Sequence, residues 1–287
     1  MDGCRVKSTP VALRRVVDVD APCLTDPCDF SHFLGSFWPH SRNSFESRLV
    51  KTFKECHPVQ RFQPHIGVLC EFYAELVMRT VRAKKIDWIV RVLSSVETVP
   101  DATRPLSMLV DTLCTRTGAC DLTSVFFKSQ ARPSMRTVAH LSGPHALKSR
   151  IKYVADDLFI KPNNVGGNVL LIDDIGNTGA SMRVYADALK QFAGVARVWA
   201  VNLAATRFNG GKDGHGMLHL DIGVLQNKPD LLPVWLDADA IYHSTTDCSR
   251  IQPPSSCEVK FVAEIKGSPC PLCAAPSKPS RPWWHLW

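Results

Sequence analysis

The chain has 287 residues, of which 45% are hydrophobic and 21% charged, with a formal net charge of +7. That length and balance describe an ordinary globular protein of one large or two small domains with a proper core. Eleven cysteines, an odd count, exclude a disulfide framework that pairs them all, and no stretch is long and apolar enough to span a bilayer. Met1-Asp2-Gly3-Cys4 has neither the basic start nor the apolar run of a signal peptide, so a cytoplasmic, membrane-free protein is expected. Its Lys and Arg are scattered rather than massed. The balance suits a polyanionic substrate, with nucleic acid as the sharper alternative partner.

Residues 1–43 carry Pro10, Pro22, Pro27 and Pro39 and no sustained periodicity, and form an irregular N-terminal segment. Val16 to Val19 is strand-like and could pair with the body; Cys23 and Cys28 are too loosely spaced to make a good metal pair. Ser44 to Lys54 and Gly67 to Lys85 read as helices, the second with Leu69, Phe72, Tyr73, Leu76, Val77 and Val81 on one stripe. Ile86 to Val90 is a strand that runs into Arg91-Val92-Leu93-Ser94-Ser95. A helix follows Pro105, with Leu106, Leu109, Val110 and Leu113 in phase and Gly118 as its stop. Leu122 to Phe127 and Tyr153 to Ile160 are expected to be strands, on either side of an irregular basic stretch, Arg132 to Pro144.

The most informative stretch is Asn168 to Arg183, NVLLIDDIGNTGASMR. Val169 to Ile172 suits a buried parallel strand. Two carboxylates follow, Asp173 and Asp174, then a loop of mainly small residues, Ile175-Gly176-Asn177-Thr178-Gly179-Ala180-Ser181. A helical pattern comes next, with Met182, Tyr185, Ala186, Leu189 and Phe192 on one face. Backbone N–H groups of such a loop, at the positive end of a helix dipole, cradle a phosphate. The carboxylates would repel that phosphate, but they accept hydrogen bonds from sugar hydroxyls or bind a hydroxyl-bound metal ion. A ribose between the acids with its 5′-phosphate in the loop satisfies both halves. The loop lacks the lysine of a Walker A motif, and its acids precede the glycines, unlike the dinucleotide fingerprint. Val195 to Ala204 is the next strand. Strands alternating with helices predict an α/β fold, a mainly parallel sheet flanked by helices, with the acid pair at the carboxyl end of a strand.

Apolar run, Asp-Asp, three variable residues, Thr-Gly, a small residue and Ser: this resembles the PRPP (phosphoribosyl pyrophosphate) signature of type I phosphoribosyltransferases. Across Ser44 to Arg207 the order of pieces resembles the ComF-type branch, relatives of amidophosphoribosyltransferase. Leu49 to Lys54 matches its early helix, and Asp87 to Val90 its strand before the pyrophosphate loop. The resemblance implies a phosphoribosyltransferase-like domain over 44–207, commonly in a homodimer, that binds PRPP with Mg2+ and transfers ribose 5-phosphate to or from a nitrogen acceptor. It also implies roles. Asp173 and Asp174 would hold the ribose hydroxyls at the catalytic centre, and Ile175 to Ser181 the 5′-phosphate. Arg91, Val92, Leu93, Ser94 and Ser95 would form the pyrophosphate loop, with Lys128, Arg132 and Arg136 on a basic lid. The departures are specific: the branch's Pro-Val-Pro and Arg-rich run are replaced by Arg91 to Ser95 followed by Glu97 and Asp101. Acids stand where bases would neutralise pyrophosphate, and an Arg91 ion pair with Glu97 or Asp101 competes with a ligand role. A non-catalytic PRPP- or nucleotide-sensing protein, or a nucleic-acid-associated accessory protein, is the alternative to a transferase.

Residues 208–287 form a C-terminal extension of different character. Asn209 to Gly216 reads as a linker, and Asp237 and Asp239 as solvent-facing acids. Cys270-x2-Cys273 has zinc-knuckle spacing, and with Cys248 and Cys257 it makes a candidate structural Zn2+ site. Three tryptophans, Trp283, Trp284 and Trp287, close the chain as a docking or base-stacking element.

Overall fold

The computed structural model describes residues 14–15, 26–39, 45–55, 63–134, 146–207, 220, 228–231, 233–243, 248–251, 258–261, 265 and 267–273. The expectations placed on Cys23, Arg136, Cys257, Val16 to Val19, the glycine-rich stretch 209–216 and the C-terminal tryptophans lie outside the described residues. Elements in chain order are β1 (Arg14–Arg15), β2 (Phe30–Phe37), α1 (Phe45–Glu55), α2 (Gln63–Thr80), β3 (Trp88–Arg91), α3 (Pro105–Thr117), β4 (Cys120–Asp121) and β5 (Phe126–Lys128). They continue as α4 (Ala146–Ala155), β6 (Leu158–Ile160), β7 (Asn168–Gly176), α5 (Ala180–Ala193) and β8 (Arg197–Thr206), then the short strands β9 (Pro233–Leu236), β10 (Ile241–His243), β11 (Glu258–Phe261) and β12 (Ser268–Pro269). No described helix is long and apolar enough to cross a membrane.

The central sheet has five strands in the order β2-β8-β7-β3-β4. β3 runs parallel to both β7 and β4. This is the α/β architecture expected from the alternation of apolar runs and amphipathic stretches. β7 is the middle strand, and its Val169 to Ile172 run is fully buried. Alternate residues serve opposite faces: Val169 and Leu171 join a core cluster with Met182, Tyr185, Ala186 and Leu189 of α5 and Ile151 and Val154 of α4. On the other face α3 packs on β3 and β7. A strand covered on both sides reads as an unbroken apolar run, which is why this one lacks polar alternation.

α3 starts with Pro105 in its first turn and ends at Gly118, whose φ of 74° lets its N–H return to Cys114 O at 2.9 Å. Two expected strands are corrected. Leu122 to Phe127 is interrupted by a 3-10 turn at Thr123–Val125. The Asp121 carboxylate accepts the Thr123 N–H at 2.8 Å, and a side chain that bonds its local backbone competes with the ladder. Tyr153 to Ile160 begins as the last turn of α4 and becomes a strand only at Leu158. Ile151, Val154 and Ala155 enter the core at helical, not strand, spacing.

The chain forms two compact units, one of residues 1–32 and 81–202, the other of residues 33–80 and 203–287. The first holds β3, β7, α3, α4, α5 and a three-stranded sheet, β1-β6-β5. The second holds α1, α2 and a four-stranded sheet in the order β11-β9-β10-β12. Phe53, Phe72, Tyr73 and Phe261 are buried in this second unit and stack edge-on or tilted on one another.

Candidate functional site

From β3 the chain crosses by α3 to β4 on one side; from β7 it crosses by α5 to β8 on the other. β3 and β7 are neighbours, so the connections diverge there, and the crevice at their carboxyl ends is a topological switch point. Ligands of open parallel sheets bind at such points. Both loops of interest leave from it: residues 92–104 after β3 and residues 177–179 after β7.

Asp173 and Asp174 sit on the last part of β7, half-buried. Asp173 Oδ1 accepts the Asp174 N–H at 2.9 Å, and Asp174 Oδ1 accepts the Ile175 N–H at 2.6 Å. These bonds fix both carboxylates on their own backbone. The loop then turns through Asn177 and Thr178 to Gly179, which has φ 75° and forms the N-cap of α5 without any side-chain cap. A Cβ at Gly179 would touch nothing nearer than Arg183 Nε at 4.0 Å, so the glycine answers to backbone conformation and not to crowding. The first N–H groups of α5 are thus presented by a left-handed turn whose N-cap residue, a glycine, has no side chain to cap them. That is the chemistry of an anion cradle.

The loop after β3 is built in the opposite way. Arg91 is 2% exposed and makes a two-pronged pair with Glu97: Nη2 to Oε1 at 2.6 Å and Nη1 to Oε2 at 3.0 Å. Glu97 also accepts the Ser94 N–H at 2.6 Å and the Asp101 N–H at 3.1 Å. Four donors therefore converge on one carboxylate of the chain itself. Burial raises the Glu97 carboxyl, but the Arg91 guanidinium and the two backbone donors outweigh it and hold the group below the usual carboxylate range. The Leu93 N–H donates to the buried Tyr185 hydroxyl of α5 at 3.1 Å, which ties this loop to the helix that follows the acid pair.

Lys128 and Arg132 are built into the same loop. The Lys128 ammonium is buried and donates to Leu93 O at 3.2 Å and Ser94 O at 2.5 Å. Burial, then the charge of Arg132, lower it to about 8 against the opposing pull of Asp157, Glu97 and Asp173. The Arg132 backbone N–H donates to Ser95 O at 3.0 Å, while its guanidinium pairs with Asp157 at 3.0 Å and lies over the Tyr153 ring. These two cations are anchored beside the β3 loop and are not ordinary surface charges.

No known family's sequence pattern matches the chain, and no curated protein matches it either. The solved structures similar in backbone include two adenine phosphoribosyltransferases. One is matched at 18% identity and a TM-score of 0.33, with 54% of this chain and 77% of that one covered. The other is Saccharomyces cerevisiae adenine phosphoribosyltransferase complexed with D-2,5-dideoxy-2,5-imino-altritol 1,6-bisphosphate and adenine, at 18% identity and a TM-score of 0.34, with 55% and 78% covered. At this level the likeness assigns neither a substrate nor an activity.

A second cluster lies in the C-terminal unit. His243, Cys248, Cys270 and Cys273 bring their donor atoms within 4.8 Å of one another, a grouping that could hold a metal ion. Burial raises the Cys270 thiol, yet N–H donors from Leu272 and Cys273 and the sulfurs of Cys248 and Cys273 bring it down to about 6. Three of these residues are among the expected metal ligands; His243 is not. Its signal was present in the spacing His243-x4-Cys248 and Cys270-x2-Cys273. Asp237, expected to face solvent, accepts the Ile241 and Asp239 N–H groups and contacts His243 Nε2 at 3.0 Å.

Proposed function

We propose that this chain binds the ribose 5-phosphate part of a nucleotide or of PRPP, on a type I phosphoribosyltransferase-like scaffold, as a nucleotide-sensing protein. The ribose hydroxyls would meet Asp173 and Asp174, and the 5′-phosphate would sit on Ile175 to Ser181 and the first turn of α5. The observation that carries this reading is the contrast between the two loops at the switch point. The Gly179 N-cap of α5 brings no side chain to the first N–H groups of the helix, whereas Arg91 and the Ser94 and Asp101 N–H groups of the β3 loop are spent on Glu97.

The contrast favours the ribose 5-phosphate half over pyrophosphate as the main source of affinity. To seat a second multivalent anion on Arg91 to Ser95, Glu97 would have to leave a buried, four-donor site, and its own negative charge would oppose the newcomer. Arg91 and the Ser94 and Asp101 N–H groups, which would otherwise stabilise departing pyrophosphate in a transferase, are therefore engaged before any ligand arrives.

The transferase reading is favoured by one feature. Ser94 Oγ is buried without a hydrogen-bond partner among the described residues, next to a carbonyl that receives the Lys128 ammonium. A hydroxyl and a cation side by side suit a diphosphate oxygen. In that case Mg2+ would accompany PRPP, and Asp173 and Asp174 supply the hard oxygen donors it takes.

Calorimetric titration of the purified chain with ribose 5-phosphate, and with nucleoside 5′-monophosphates, tests the first reading. Binding in the micromolar range is expected, lost in an Asp173→Asn/Asp174→Asn variant of unchanged circular dichroism. A folded wild-type chain that binds none of these ligands rejects it.

A further inference from the structure

We propose that His243, Cys248, Cys270 and Cys273 hold one structural zinc ion, with Asp237 as the residue that orients His243. The inference is independent of the ribose-phosphate site.

The argument begins with the strands. β10 and β12 run parallel, Tyr242 opposite Pro269, and the Cys270 N–H donates to Tyr242 O at 2.9 Å. This register carries His243 and Cys270 out of the sheet side by side. The turn after β12 brings Cys273 back beside Cys270, three positions earlier, as C-x2-C spacing does at zinc sites. Cys248 comes from the loop after β10. His243 and Cys270 are fully buried and Cys248 nearly so, while Cys273 is half-buried.

Two donor–donor distances match the edges of a tetrahedral zinc site, and all four donor atoms lie within 4.8 Å of one another. Zinc bonds of about 2.3 Å to sulfur and about 2.05 Å to nitrogen place two sulfurs about 3.8 Å apart, and a sulfur and a nitrogen about 3.6 Å apart. Cys248 Sγ and Cys270 Sγ are 3.7 Å apart, and Cys273 Sγ and His243 Nδ1 are 3.5 Å apart. The sulfur pair is far longer than a disulfide of about 2.05 Å, and none of the three cysteines is in a disulfide.

The imidazole supplies the fourth donor in a specific way. Nδ1 faces the sulfurs, while Nε2 lies 3.0 Å from Asp237 Oδ2. A carboxylate on the outer nitrogen of a ligating histidine fixes its tautomer and strengthens it as a donor. Asp237 is itself held by two backbone N–H groups of the β9–β10 turn. Four protein ligands leave no open position, so the site is structural and not catalytic. The need for it is visible in the sheet: β9 and β11 have four residues each, β10 three and β12 two. Strands so short contribute little ladder energy, and metal binding can supply folding free energy in their place.

The test is elemental analysis of the full chain purified without added metal, followed by replacement with cobalt. About one zinc per chain is expected, with the intense visible absorption of tetrahedral, thiolate-bound Co2+ after exchange. His243→Ala and Cys270→Ser should lose the metal, and Cys257→Ser should keep it. Asp237→Asn should keep one equivalent at saturating zinc but bind it about 10–100-fold more weakly in competition with a chelator. Should His243→Ala or Cys270→Ser fail to fold, chelation of the wild-type chain should reversibly lower its melting temperature. A folded wild-type chain without zinc that gives no cobalt spectrum overturns the proposal. So does loss of metal from Cys257→Ser with retention in His243→Ala.

Discussion

Glu97 is the residue whose replacement says most about this protein. Its side chain is 3% exposed and that of Arg91 2%. Glu97→Leu would leave the Arg91 guanidinium buried without its carboxylate and strip the Ser94 and Asp101 N–H groups of their acceptor. Breaking a buried pair from one side costs about 3–5 kcal/mol, because the surviving charge is stranded. Urea unfolding followed by circular dichroism should show a loss of that size, with the slope unchanged. Arg91→Met/Glu97→Leu, which removes both charges, should recover most of it. The pH dependence gives a second arm. Glu97 titrates lower in the folded chain than its ordinary value of 4.5, so its stabilisation is present above that value and lost as the pH falls through the folded pKa. The difference between wild type and Glu97→Leu should therefore shrink on acidification below about 4.5. A single variant within about 1 kcal/mol of wild type at neutral pH would refute the reasoning, since only a solvated pair behaves so.

Two further outcomes follow from the same site. Gly179→Ala should destabilise the chain by about 1–2 kcal/mol through its left-handed backbone alone, since the added methyl meets open space, and it should weaken phosphate binding more than it changes the melting temperature; full affinity for ribose 5-phosphate in this variant would contradict the anion cradle. Lys128 titrates at about 8, lowered first by burial and then by Arg132, against 10.5 for an ordinary lysine. The unfolded chain thus holds more protons between those values, so this residue's contribution to stability rises with pH from about 8 to 10.5, and Lys128→Met should remove that component from urea titrations across the range.

The acid pair, the phosphate-type loop and the helix after it were legible because each depends on neighbours in sequence. An apolar run long enough for one buried strand, two acids and a glycine at the turn are local statements, and β7 and α5 follow them closely. α3, with Pro105 and Gly118 at its ends, was legible for the same reason. What could not be read was long-range. The acids after β3 were visible as a departure from the resembled pattern, but the convergence of four donors on Glu97 depends on how residues 91–101 fold back. The Tyr185 hydroxyl that receives the Leu93 N–H looks, in sequence, like one more apolar position on a helix face. His243 was harder to read because its one local cue, the x4 spacing to Cys248, is weak beside C-x2-C, and a histidine at a strand end belongs to no periodic pattern. Asp237 was read as solvent-facing for want of any view of the β9–β10 turn. The two expected strands at Leu122 and Tyr153 were shortened to Phe126–Lys128 and Leu158–Ile160, where a side chain competing for the backbone or the end of a helix won over strand propensity.

The most direct test of the central claim compares ligands that share one half and differ in the other. Ribose 5-phosphate, PRPP with Mg2+ and pyrophosphate with Mg2+ should each be titrated into the same preparation, with pyrophosphate release assayed in the PRPP arm. Affinities for ribose 5-phosphate and PRPP that agree within about tenfold, a difference of 1.4 kcal/mol, together with no binding of pyrophosphate and no release, are expected if Glu97 fills the second anion site. PRPP bound a hundredfold or more tightly than ribose 5-phosphate, with pyrophosphate released on addition of a base or amine, would contradict it and establish a transferase.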